Sequence, residues 1–222
     1  MDTNDMHAQA RRNRSSGAVG DVDFTMMYAA HDAFRRDLQR MTRAVAAGKA
    51  DDPAVRAGWQ TFENQLVNHH NAEDQAIWPQ LRDRVREPGE AAVLDQMEAE
   101  HARIDPLLAA IDDALAHHRP NLAALVDDAD RILREHMDHE EDSALPLIAQ
   151  HLGSKGWNRF QSYIRREYGL SGAAEFLPWI LDGLPSIERA AVLRQLPAPA
   201  RLLYRRVFEP RYARAGRWGG FA

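Results

Sequence analysis

Four segments between residues 21 and 152 each carry a histidine on an otherwise apolar helical stripe, and this restricts the fold more than any other feature. The first stripe reads Phe24, Met27, His31, Phe34, Leu38, Met41 and Val45, and stops before Gly48. Asp52-Pro53 supplies an N-cap followed by proline at the first helical position. The second stripe runs through Phe62, Leu66, His69, Glu73 and Ile77 towards Val85, and Glu87-Pro88-Gly89 ends it. The third reads Leu94, Met97, His101, Ile104, Leu108, Ile111 and Leu115 before Arg119-Pro120. The fourth reads Leu122, Leu125, Ala129, Ile132, His136 and Glu140 towards Leu147, with Gly153 as its stop. Long helices joined by short connections pack against their sequence neighbours. The expected fold is all-α, an antiparallel up-down-up-down four-helix bundle with a C-terminal helical extension. Pro106 should kink the third helix, and Pro79 and Pro146 should each bend or loosen a turn.

The second and fourth segments also resemble each other. Residues 69–79 align without gaps on residues 136–146, with His, Glu and Pro recurring at matching places. Each half of the bundle thus contributes one lone histidine (His31, His101) and one His-x-x-x-Glu pair (His69/Glu73, His136/Glu140). Residues four apart share a helix face. A carboxylate on an apolar stripe costs several kcal/mol when buried and ionised without a partner. Imidazoles and carboxylates converging from all four helices make a pocket for two metal ions of intermediate hardness. His70 and His139 lie about 100° from their stripes, which assigns them to an outer shell or to solvent. His117 and His118 sit beside a helix end, where capping accounts for them.

These residues resemble the hemerythrin-like family, the HHE cation-binding domains, over roughly residues 21–152. The resemblance rests on His31-Asp32, His69-x-x-x-Glu73 followed by Pro79, Glu100-His101, and His136-x-x-x-Glu140 followed by Pro146. It implies two non-haem iron ions joined by an oxo or hydroxo bridge and by the carboxylates of Glu73 and Glu140, with His31, His69, His101 and His136 as the remaining ligands. It also implies dioxygen, peroxide or nitric oxide as the small ligand. The oxygen-carrying branch has two histidines one turn apart on the third helix. Here His101 stands alone, between Met97 and Asp105, so one metal lacks an identified ligand. An open position favours binding of a small molecule over simple oxygen carriage. Binding or sensing of such a ligand is the leading expectation, and an enzyme acting on peroxide is the alternative. Iron buffering and a metal-free interaction bundle rank behind them.

The rest of the chain bounds these readings. It has no cysteine, which excludes disulfide scaffolds, iron–sulfur clusters and thiol catalysis and fits a cytoplasmic protein. Arg11, Arg12 and Arg14 are followed by no apolar core of an export signal, so residues 1–20 read as a flexible polar arm. No stretch approaches the roughly 20 apolar residues of a membrane span. Residues 151–222 carry 12 Lys/Arg against 5 Asp/Glu, which leaves residues 1–150 with a net charge of −12 out of the total of −5. An acidic body argues against nucleic acid as a partner. Residues 153–222 read as several short helices separated at Gly169, Gly172, Gly183-Leu184-Pro185 and Pro197-Ala198-Pro199. They are expected to cover part of the bundle and to end in an arginine-rich face, open to an acidic partner, a membrane surface or a second copy as a homodimer.

Overall fold

The computed structural model of the chain describes Arg14 and residues 16–222. Most of the expected N-terminal arm lies outside those residues. Its described end is a two-stranded hairpin, β1 (Ala18–Val19) against β2 (Val22–Asp23), antiparallel with Val19 opposite Val22.

The long helices follow the periodicity. Helix α1 spans Thr25–Ala46, and the Lys49 amide donates to Ala44 O at 2.8 Å beyond it. Gly48 takes φ +64 in that turn, a left-handed conformation that suits glycine. Helix α2 spans Pro53–Ala76, and Asp52 caps it by accepting the Ala54 amide hydrogen. The chain breaks at Ile77, and a short α3 (Trp78–Arg82) follows. Helix α4 spans Pro88–Ala116 and runs through Pro106 without a break. Pro106 and the residue whose carbonyl it leaves free, Ala102, are both exposed, so water can satisfy that carbonyl.

The loosening expected at Pro146 takes a definite form. Helix α5 (Leu122–His139) passes into a π-helical turn at Glu140–Ala144 before α6 (Leu145–His151). Proline donates no amide hydrogen to the carbonyl four residues back, and the preceding turn widens, with Leu145 N–H reaching Glu140 O. The same device recurs in the extension, where the turn Tyr204–Phe208 widens ahead of Pro210. Single π turns of this kind are frequent at functional sites.

Helix α1 packs on α2 and α5, and α4 packs on the same two, so the four long helices close a ring. The interior holds two apolar clusters. One gathers Phe34, Leu38, Leu66, Ile104 and Leu133. The other gathers Met27, Ala76, Met97, Ala144 and Trp157. On α1, α2 and α4 the inward histidines fall between a member of one cluster and a member of the other. His136 lies between Leu133 of the first and Ala144 of the second, in the widened turn beyond α5, so the polar residues form a layer across the ring.

The extension is part of this interior. Helix α7 (Gly153–Leu181) bends at Gly169, where φ is 56° and ψ −151°. It runs helically through Gly172, contrary to the sequence expectation; a glycine with ordinary helical dihedrals weakens a helix without ending it. Trp157 meets Phe24 edge-on at 4.6 Å between centroids, while Leu177, Trp179, Ile180 and Leu181 join the Phe34 cluster. Helices α8 (Ser186–Gln195), α9 (Ala198–Leu203) and α10 (Glu209–Arg214) follow. Beyond them Trp218 is fully buried, and its amide donates to Ala54 O at 2.7 Å. Its ring lies where a side chain on Gly58 would be, 2.4 Å from the Cβ position. Gly58→Ala should therefore cost about 1–3 kcal/mol by overpacking, read from chemical denaturation. An unchanged midpoint would mean that the tail does not rest on α2. Among the described residues no helix is long and apolar enough to cross a membrane.

Candidate metal centre

The polar layer brings the six sequence-predicted residues together. His31 comes from α1, His69 and Glu73 from α2, His101 from α4, His136 from the last turn of α5, and Glu140 from the first residue of the widened turn. His31, Glu73 and Glu140 are wholly buried, and His101 and His136 nearly so. His69 keeps 14% of its side-chain surface exposed. Glu73 lies centrally, with Oε1 3.2 Å from His69 Nε2 and Oε2 3.6 Å from His101 Nε2. Glu140 Oε2 is 3.1 Å from His31 Nε2.

His70, expected in an outer shell, belongs to the layer. It is buried, its ring stacks on His101 at 4.0 Å between centroids, and it meets His136 edge-on at 5.3 Å. Two groups of potential ligand atoms result, each within 4.8 Å of one another: His31, His69 and Glu140 in one, His70, His101 and His136 in the other. The sequence did carry a signal for His70. Phe62, Leu66, His70, Glu73 and Ile77 are spaced four, four, three and four apart, as helical as the stripe through His69. The aligned position in the second half is Met137, so the internal repeat hid it. Met97 lies in the apolar cluster and Asp105 is exposed; neither substitutes for a second histidine on α4. His139 lies outside the two groups, half-buried and bonded to Glu100.

Around the layer, carboxylates hold the histidines by Nδ1 and leave Nε2 facing inwards. Glu141 takes His31 at 2.8 Å, Asp74 takes His101 at 2.9 Å, and Glu100 takes His136 at 2.9 Å and His139 at 2.9 Å. Glu141 is itself gripped by Arg14 at 2.8 Å and Arg35 at 2.9 Å, and Arg14 also meets Asp32. Such partners fix ring orientation and raise ligand basicity in metal sites. Among the described residues no carboxylate meets His69 at Nδ1. Its neighbour is Phe34, at 5.3 Å between centroids, which in turn packs on Trp179 of the extension at 4.8 Å.

The inner atoms fit a cation. Among the described residues, the Nε2 atoms of His70, His101 and His136 and both oxygens of Glu73 are buried without a hydrogen-bond partner, and His31 Nε2 and Glu140 have nothing inward but each other. Buried polar atoms in native proteins are almost always satisfied, so this many orphans gathered in the two groups fit a positive partner. The electrostatics agree. Burial, then the neighbouring imidazoles, hold His69 down to about 3 and His70 well below its usual range, which keeps both neutral. Burial also lowers His136. Burial, then the charges of Glu140 and Asp74, push the Glu73 carboxyl well above its usual range. For His31, burial is outweighed by Glu140 and Glu141, which raise it to about 8. The His31–Glu140 pair thus keeps a proton where a cation would sit.

This sets the pH response of metal-free protein. The folded value of His31 lies above the ordinary 6.5, so its stabilisation is complete below pH 6.5 and is lost as pH rises through about 8. Glu141 and Glu100 are depressed to about 2, burial being outweighed by His31 for the first and by His136 and His139 for the second. Their stabilisation is present above about 4.5 and is lost as pH falls towards 2. His69, His70 and His136, held below their ordinary value by burial, add a loss that begins as pH falls below about 6.5. Thermal unfolding of chelator-treated protein should therefore decline on both sides of a maximum near pH 6.5. A midpoint still rising between pH 7 and 9 would contradict the His31 assignment.

Comparison with curated proteins and with solved structures found no match. The model of one family, the hemerythrin HHE cation-binding domain, matches residues 22–148, more than half of the chain's 222 residues, and every residue of the layer falls within that stretch. The chain belongs to the hemerythrin HHE cation-binding domain family.

Proposed function

We propose that the chain holds two non-haem iron ions in this layer and uses them to bind or sense dioxygen or a related small ligand. The observation that carries this is the set of inward Nε2 and carboxylate atoms left without partners at the centre of the ring. His31, His69 and Glu140 would hold one ion and His70, His101 and His136 the other, with Glu73 between the groups and able to serve both. Five imidazoles and two carboxylates suit iron, as carboxylate and imidazole together suit metals of intermediate hardness. When bound, an oxo- or hydroxo-bridged iron pair supplies electron exchange with dioxygen, peroxide or nitric oxide.

The protein's own residues do the rest. Each group offers three ligands, and His69 of the His31 group keeps 14% of its side-chain surface exposed, which puts that group nearer to solvent. A small molecule therefore enters beside His69 and meets the His31 group first. His31 and the protonated Glu73 must give up their protons when a cation arrives, so metal uptake releases acid. The order in which the apolar clusters flank the layer supports the up-down-up-down course. It runs from Met27 to Phe34 on α1 and from Met97 to Ile104 on α4, and the opposite way from Leu66 to Ala72 on α2 and from Leu133 on α5 to Ala144 in the widened turn. Contact of the extension with His69 through Trp179 and Phe34 gives a ligand-induced shift at the His31 group a route to residues 153–222.

The test is a titration of iron-loaded protein with dioxygen, peroxide and nitric oxide, followed by visible absorption and by hydrogen exchange over residues 153–222. A stoichiometric, reversible spectral change with altered protection of the extension is expected. Sustained peroxide turnover without loss of iron would replace this reading by that of a di-iron enzyme.

A further inference from the structure

We infer that the outer face of the C-terminal rod is a docking surface for an anionic lipid bilayer. Helix α9, the widened turn and α10 form one continuous helical rod from Ala198 to Arg214. Its inward side is set by Tyr204 and Phe208, both buried. Its outward side exposes Arg205, Arg206, Arg211 and Arg214. The surface arginines of the bundle are largely engaged: Arg35 with Glu141, Arg82 with Asp95, Arg119 with Asp113, Arg131 with Asp128. On the rod, by contrast, the outward guanidiniums make no side-chain hydrogen bond, ion pair or ring contact among the described residues. A cluster of uncompensated cations repels itself, and an anionic surface relieves that repulsion.

Two further observations select the partner. The same outward side exposes Leu202 (59%) and Val207 (46%), and Ile187 at the start of α8 is 80% exposed. Helix α8 is tied to the rod by Arg189, which meets Tyr204 Oη and Glu209. Arginines interleaved with exposed aliphatics match a membrane interface, where aliphatics enter the acyl boundary and guanidiniums meet phosphates. The aromatics that could stack on nucleic-acid bases, Tyr204, Phe208 and Trp218, are buried instead. The charge division adds orientation: residues 151–222 carry +7 and residues 1–150 −12, so an anionic surface attracts the rod and repels the bundle.

The test is co-sedimentation of the full chain with phosphatidylcholine vesicles, with and without phosphatidylglycerol, at low and high salt. Binding is expected only to the anionic vesicles and should weaken with salt. Each arginine neutralised should lower partition about fivefold, so the Arg205→Gln/Arg206→Gln pair should lose roughly thirtyfold. Leu202→Ser/Val207→Ser should weaken binding at high salt, where the apolar part dominates. Iron content and circular dichroism of each variant establish that it is folded. Equal binding to neutral vesicles, no binding at all, or binding unaffected by both pairs of substitutions would overturn the proposal. So would a self-association that the same arginine pair abolishes while vesicle binding is absent, since the occupant would then be a second copy.

Discussion

Glu73→Gln is expected to remove more than half of the bound iron while leaving the metal-free fold as stable as before, or slightly more so. The carboxyl reaches towards a histidine of each ligand group, 3.2 Å from His69 and 3.6 Å from His101, so losing its charge weakens both ions. In the metal-free chain burial already holds this group in its protonated form, and glutamine is a near-isosteric neutral replacement. His70→Ala should act more locally and cost the ion of the His70–His101–His136 group. His139→Ala, which removes one of the two imidazoles on Glu100, should cost about 10-fold or less in affinity. Elemental analysis of the variants beside their denaturation curves separates these outcomes. Equal iron in Glu73→Gln and His139→Ala would mean that the inward faces are wrongly assigned.

Asp37→Ala should cost about 3–5 kcal/mol. Asp37 is wholly buried between α1 and the extension. It accepts from Trp179 Nε1 at 2.8 Å, Arg36 Nε at 2.8 Å and Arg40 Nη1 at 3.1 Å. Arg40 also reaches Asp182 at 2.7 Å, and Arg36 donates to the Asp182 carbonyl at 2.6 Å. Removing the carboxylate leaves two guanidiniums with less than their compensating charge in a low-dielectric place, and leaves the indole N–H without its acceptor. Urea denaturation measures the loss, and fluorescence of the tryptophans reports release of the extension. A loss under about 1 kcal/mol would show that apolar packing alone holds the extension.

The two predictions draw on parts of the molecule that were unequally legible in the sequence. The helices and the six inward residues could be read because His31, His101 and the His-x-x-x-Glu pairs are local, periodic features, and a buried carboxylate demands a partner wherever the helix packs. His70 escaped because an apolar face is wide enough to hold two neighbouring residues, and spacing cannot rank them. The turn at Glu140–Ala144 was half legible: Pro146 announces a lost hydrogen bond, but not that the helix would widen rather than bend. The Asp37 clamp and the seat of Trp218 on Gly58 were not legible. They join residues separated by 142 positions (Asp37 and Trp179) in one case and by most of the chain in the other, and periodicity carries no information about such pairs. The carboxylates behind the histidines lie between these extremes. Glu100 and Glu141 stand beside inward residues in sequence, yet only the packing of α4 on α5 and of α1 on the widened turn makes them partners.

If the polar layer is a two-metal site, purified protein should carry the metal. The most direct measurement is metal per chain on protein purified aerobically from iron-replete cells, read by elemental analysis together with its visible spectrum. Two irons per chain with an oxo-bridge charge-transfer band are expected, both lost on chelation and restored with release of protons. A chain that carries no metal, and takes up none from ferrous iron under anaerobic conditions, would contradict a two-metal site.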